Sequence, residues 1–195
     1  MKVKLVQATP NPVKLITDVA SICYGNDEAK YPERLFKHLY ESGHHSTFEH
    51  VYFTFKIEGI SRACLAQLTR HRHASYSVRS QRYCDESETQ VVVPDSVKED
   101  KELLDIYTYQ TNGRSKEVYD YLILKGVKKE DARFVLPQAL LTDLYMSVNL
   151  RELIHINKLR TSKQAQWEIR DLVNEMTMLV VENTPELAFM FKEEE

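Results

Sequence analysis

Apolar and polar positions alternate most cleanly in VYFTFKI, where Val51, Phe53, Phe55 and Ile57 are set against Tyr52, Thr54 and Lys56. That period of two predicts a half-buried strand. Residues 1–7 alternate more weakly and predict a second strand, and TQVVVP at 89–94 a brief third. Most of the remaining chain follows a helical period. In NPVKLITDVASICYG, Asn11 is placed to cap a helix, Pro12 suits its first position and Gly25 follows its end. ERLFKHLYESG predicts a helix stopping at Gly43, and SRACLAQLTR a short one. Residues 96–124 read as largely helical, with a break around Thr111-Asn112-Gly113. A short helix is expected over 130–136, ending before Pro137, then helices near 139–160 and 164–183. Thr184 and Pro185 open a last short one. The sequence carries no repeats or linker composition, and only the terminal KEEE reads as a solvated tail. These elements predict a helix-rich α+β fold in a single domain over 1–195.

Composition narrows the class. The 195 residues are 43% hydrophobic and 28% charged, an ordinary globular balance. A net charge of −3 and a pI near 6.2 disfavour bulk binding to nucleic acid or to a membrane surface. No apolar run approaches the ~20 residues that span a bilayer. The amino end, MKVKLVQATP, lacks the apolar core and small-residue cleavage site of a signal peptide. Cys23, Cys64 and Cys84 are odd in number and show no CxxC spacing, so reduced thiols and a cytoplasmic location are expected.

Against that acidic background, residues 69–84 read TRHRHASYSVRSQRYC. Four arginines, two histidines, three serines and two tyrosines are concentrated there, and no Asp or Glu occurs over 59–84. Guanidinium groups offer forked donors that suit phosphate oxygens, and serine hydroxyls add neutral ones. A solvated basic face is the plain alternative, and an RNA-binding surface with stacked tyrosines another. Five glycines and no GxGxxG or GxxxxGK[ST] leave no backbone cradle for a nucleotide, so side chains are expected to hold its phosphates. The charges are then expected to face an anionic ligand and to need no carboxylate partners. His71-x-His73 and His44-His45 lack zinc spacing, and neighbouring arginines oppose a cation, so no metal is expected.

Arg70-His71-Arg72, seven residues, then Ser80 resembles the RHR-x7-S signature of flavin-dependent thymidylate synthases, and the match continues through Gln81-Arg82-Tyr83. GHHSTFEH at 43–50, QLTRHR at 67–72, ARFVLP at 132–137, and VNLRELIHINKLR with AQWEIR over 148–170 also resemble that family, in order. The resemblance implies a small antiparallel sheet within the helix-rich domain and a homotetramer with active sites between subunits. It implies methylation of dUMP to dTMP, with 5,10-methylenetetrahydrofolate as carbon donor, NADPH as reductant and FAD as hydride carrier.

Carried onto this chain, the resemblance assigns FAD contacts to Ser46, Arg70, His71, Arg72, Arg151 and His155, with Asn149 a further candidate. It assigns dUMP to Gln67, Arg70, Arg133, Arg160 and residues 78–82, that is Val78, Arg79, Ser80, Gln81 and Arg82. Arg160 is implied to hold the pyrimidine and favour its ionised form, and His44 to lie near folate and flavin. Ser77-Val78 departs from the commoner Asn-Glu, so a carboxylate contact is missing at Val78, where only the backbone remains.

The residues agree with a route that needs no enzyme nucleophile. Cys64 lies in the apolar run ACLAQL and reads as core, while Cys84 ends the cationic stretch, where arginines favour a thiolate. In the route that the resemblance implies, fixed cations instead stabilise the charge developing on the ring, and Arg160, effectively never a proton donor, would act electrostatically. Arg151 and His155 stand four apart on one helix face, where solvent exposure is the plain alternative. Arg160 also suits a helix C-terminus, Asp131 and Arg133 suit a local ion pair, and Ser46-Thr47-Phe48-Glu49 matches a capping box.

Overall fold

The computed structural model describes residues 1–191, so the KEEE tail lies outside the described residues. Four strands form one sheet in the order β1-β2-β4-β3: β1 Lys2–Ala8, β2 Tyr52–Ser61, β3 Ala74–Val78 and β4 Leu141–Asn149. The chain clusters into two compact units; four of the five boundaries between them fall inside these strands, and the fifth follows Leu68. One unit comprises Met1–Lys2, Glu58–Leu68 and Ser77–Leu144; the other takes Val3–Ile57, Thr69–Tyr76 and the chain from Tyr145 onward.

The second of these holds most of the core. Its helices are α1 Pro12–Ser21, α2 Pro32–Glu41, α8 Leu150–Arg160 and α9 Trp167–Asn183. Strand β2 behaves as its alternation requires, with Phe53, Phe55 and Ile57 fully buried. Burying one such side chain contributes about 1.5–3 kcal/mol. Phe36 meets Phe48 at 5.9 Å between ring centroids and Phe189 at 5.7 Å, an aromatic nucleus beside α2. Helix α9 adds Ile169, Leu172, Val173, Met176 and Val180, all buried. Pro12 does open α1, but Asn11 sits in left-handed backbone at φ 48° and its side chain makes no cap hydrogen bond. Gly25 ends a separate 3-10 turn over Ile22–Tyr24 that follows α1.

The other unit has α3 Arg62–Leu68, α4 Asp95–Lys98, α5 Lys101–Thr108, α6 Ser115–Leu124 and α7 Lys129–Ala132. Its apolar core is smaller: Ile60, Cys64, Leu68, Tyr119, Ala132 and Leu140 are fully buried. The break expected at Thr111-Asn112-Gly113 is a π-helical turn over Tyr109–Arg114 that carries α5 directly into α6. Gly59 lies within β2 at φ 76°, a backbone conformation that a side chain at this position would strain.

Two predicted elements are corrected. TQVVVP forms no strand among the described residues, only an isolated bridge between Val91 and Leu140. The helix expected near 139–160 begins only at Leu150, because residues 141–149 are the strand β4. Thr142, Leu144, Met146 and Val148 are buried in alternation, a period of two that the good helix formers Leu and Met obscured. The strand ASYSV, β3, was not predicted from the pattern of the cationic stretch.

Candidate active site

Within the larger unit, a cavity of about 490 Å³ is lined by Arg70, His71, Arg72, His73, Glu152, His155, Leu159 and Arg160. Its size falls in the range of small-molecule sites. Two segments build it. The turn between α3 and β3 supplies residues 70–73, and α8 supplies the rest. Helix α8 starts where the Asn149 side chain accepts a hydrogen bond from the Glu152 backbone N–H at 2.8 Å. Glu152, His155, Leu159 and Arg160 then recur at helical spacing, which brings them to one face.

His71 is the buried centre of the site, 5% exposed. Arg160 Nε donates to its Nε2 at 3.0 Å, Glu152 Oε1 stands 3.6 Å from its Nδ1, and the His155 ring lies 6.4 Å away. Burial, followed by the charges of Arg160, His155 and Arg70, pushes the His71 pKa down from 6.5 to about 4. The ring is therefore neutral at pH 7, and its proximity to Glu152 is not an ion pair. Tyr76 donates its hydroxyl to the His71 carbonyl at 2.9 Å, and burial, then Glu152, raises the pKa of that phenol.

Of the residues expected to meet flavin or the pyrimidine, the cavity gathers Arg70, His71, Arg72, His155 and Arg160. Four others in the same unit, His44, Ser46, Asn149 and Arg151, are not among its lining residues. His44 and Ser46 are exposed, and Ser46 lies in a 3-10 turn, His45–His50, with no side-chain cap, so the capping box does not form. Glu49 instead pairs with Arg151 Nη1 at 2.5 Å, both side chains about half exposed. Such surface pairs contribute about 0–1 kcal/mol. Cavity residues absent from the expected set are Glu152, His73 and Leu159. Helical spacing from His155 and Arg160 was the available signal for Glu152.

The other unit carries Gln67 and the whole of the expected phosphate loop, residues 78–82. Contrary to expectation, arginines of the cationic stretch do find carboxylates, supplied from outside residues 59–84. Arg82 Nε donates to Glu130 Oε2 at 3.0 Å, and Arg133 Nε to the Glu130 carbonyl at 3.0 Å, so one residue gathers both. No ion pair joins Asp131 to Arg133 among the described residues. Arg79 turns to the fully buried Glu86, 3.5 Å away, and to the Asp85 carbonyl at 3.1 Å. Ser80 accepts from the Arg82 backbone N–H at 3.3 Å; Gln81 and Val78 are half-buried. Arg62, not singled out in the sequence, belongs with this group. Burial lowers its pKa, with Arg133 and Arg79 adding to the effect and Glu86 opposing it. Its Nε is buried without a hydrogen-bond partner, a donor suited to an anion. Cys64 is fully buried and takes part in the core, and Cys84 is half-buried.

Among the described residues no helix is long and apolar enough to cross a membrane, and no group of three or more His, Cys, Asp or Glu is arranged to hold a metal ion. The family model described as thymidylate synthase complementing protein matches residues 4–186. The flavin-dependent thymidylate synthase of Pyrococcus furiosus is 40% identical over 193 residues, covering 90% of this chain and 77% of that protein. The enzyme of the same name from Geobacter sulfurreducens is 42% identical over 193 residues, covering 92% of this chain and 82% of its own. The fold resembles the crystal structure of a UMP/dUMP methylase from Streptomyces cacaoi, bound with 5-Br dUMP, at a TM-score of 0.86 and 24% identity over 97% of this chain and 93% of that one. A match across nearly the whole sequence, on a site built from the Arg-His-Arg turn and α8, places this chain in the flavin-dependent thymidylate synthase family.

Proposed function

We propose that this protein methylates dUMP to dTMP, taking its carbon from 5,10-methylenetetrahydrofolate and its reducing equivalents from NADPH through bound FAD. In this reading it works in the cytoplasm as a homotetramer with active sites between subunits. The observation that carries the proposal is the cavity on α8. Three guanidiniums and three histidines line it with one acidic residue and one leucine. That donor set fits an anionic ligand with a flat apolar ring system, and hence both a flavin nucleotide and a pyrimidine nucleotide.

Arg70, His71, Arg72 and His155 would hold the flavin there, with Ser46, Asn149 and Arg151 as further contacts. Bound flavin supplies the hydride. Arg160 would hold the pyrimidine and stabilise negative charge on it, a role that needs an oriented cation and no proton transfer. Gln67 and Arg70 would help bind dUMP, with Val78, Arg79, Ser80, Gln81, Arg82 and Arg133 around its phosphate and ribose. His44 would act near the folate. Arg62, Arg79 and Arg133, close enough to one another for their charges to interact, support this reading, since charge-assisted bonds to a phosphate contribute about 1.5–3 kcal/mol each.

The deciding experiment measures NADPH oxidation by purified protein in the presence of dUMP and methylenetetrahydrofolate, with dTMP as the measured product. Yellow protein that releases FAD on denaturation and makes dTMP only with all substrates is expected. Colourless protein that also fails to bind added FAD would overturn the proposal.

A further inference from the structure

Among the described residues lining the cavity, Glu152 alone is acidic, and no motif assigned it a role. It is 9% exposed, and its position is set by the Asn149 cap that accepts from its own backbone N–H. What it faces follows from donor chemistry. A guanidinium has only N–H donors, so His71 Nε2, 3.0 Å from Arg160 Nε, must present its lone pair. A neutral imidazole with a lone pair on Nε2 carries its proton on Nδ1. That Nδ1–H lies 3.6 Å from Glu152 Oε1, too long for a direct hydrogen bond and suited to a charge–dipole contact or one bridging water. Both ends of the ring thus require the same tautomer: an acceptor at Arg160 and a donor at Glu152.

We propose that Glu152 is a positioning residue which, through His71 Nδ1–H, holds the ring's acceptor nitrogen toward Arg160 and so fixes the plane of the guanidinium that meets the pyrimidine. The proposal rests on the reading of Arg160 as the pyrimidine-holding residue. Carboxyl groups set imidazole tautomers in this way at metal sites and in hydrolytic triads. Here the ring's far nitrogen serves an arginine. Anchoring Nε fixes the orientation of the four Nη hydrogens, because the group is planar. If Glu152 is lost, the ring is free to turn or change tautomer, and it then offers Arg160 an N–H or a carbon in place of a lone pair.

The test uses the flavin-loaded protein with nitrogen-15-labelled histidine, native and as Glu152→Gln and Glu152→Leu. In the native spectrum, His71 is expected as the neutral ring protonated on Nδ1. The Gln variant keeps an acceptor oxygen and is expected to keep that tautomer, with KM for dUMP recovering to within about threefold of native. The Leu variant is expected to show mixed tautomers and a KM raised about tenfold, or about 1.4 kcal/mol, with flavin content retained. A native ring protonated on Nε2 would overturn the proposal, and that spectrum requires no variant to fold. So would a Leu variant with native KM, or a Gln variant as impaired as Leu. Native protein that binds no dUMP would instead defeat the functional reading, while the nitrogen spectra would still decide for Glu152.

Discussion

Acidification from pH 7 to pH 5 is expected to cost the folded state about 2 kcal/mol through His71 alone. The ring's pKa falls from 6.5 in the open chain to about 4 in the fold, because burial and the Arg160, His155 and Arg70 side chains disfavour its charged form. The unfolded chain therefore takes up the proton first. The contribution is present above about pH 6.5 and is lost as pH falls toward 4, where it reaches about 3 kcal/mol in total. Between pH 7 and 5 about two thirds of that is lost. Asp18 and Asp85, held below the ordinary 3.8 by Lys14 and by Ser87 respectively, titrate beneath this window and do not mimic the effect. The assay is equilibrium denaturation at pH 7, 6 and 5 at fixed protein concentration, for native protein and His71→Gln. The native midpoint is expected to fall more steeply with pH than that of the variant, by about 2 kcal/mol over the range. Parallel losses would refute the claim that a buried neutral imidazole sits at this site.

Two predictions concern the chemistry directly. Arg160→Ala is expected to retain flavin, read from the absorbance of the purified protein, while dUMP binding or methyl transfer is lost; unchanged turnover would remove Arg160 from the site. Cys84→Ala and Cys64→Ala are expected to keep dTMP formation, the latter at a stability cost of about 1–2 kcal/mol for its fully buried position, whereas a folded, flavin-loaded but inactive variant would restore a covalent route.

Residues whose role follows from local sequence were legible, and those whose role depends on distant partners were not. The alternation of Val51 to Ile57 fixed β2, because one buried face demands it. Residues 141–149 carry the same alternation, but Leu and Met at buried positions also suit a helix, and pairing within the sheet decided the conformation. The Arg-His-Arg turn and α8 were both found as motifs. Their meeting was not, since no local rule brings residue 71 against residues 152 and 160. The same limit explains the carboxylates. Residues 59–84 contain none, yet Glu86, Glu130 and Glu152 reach Arg79, Arg82 and His71 from outside that stretch.

Those carboxylates bear on why a site so rich in arginine needs a histidine at its centre. Arginine has no acceptor and cannot orient another arginine, so a cluster of guanidiniums alone repels itself and has no internal means of fixing its geometry. A carboxylate beside each cation would fix geometry but cancel the charge that an anionic ligand is to meet. A neutral imidazole avoids both outcomes: it accepts from Arg160 without subtracting charge. It stays neutral because its burial, and after it the neighbouring cations, oppose protonation. The cations that require an uncharged acceptor are thus among the groups that keep it uncharged, and Glu152, on the far side of the ring, places the negative charge where the ring lies between it and Arg160.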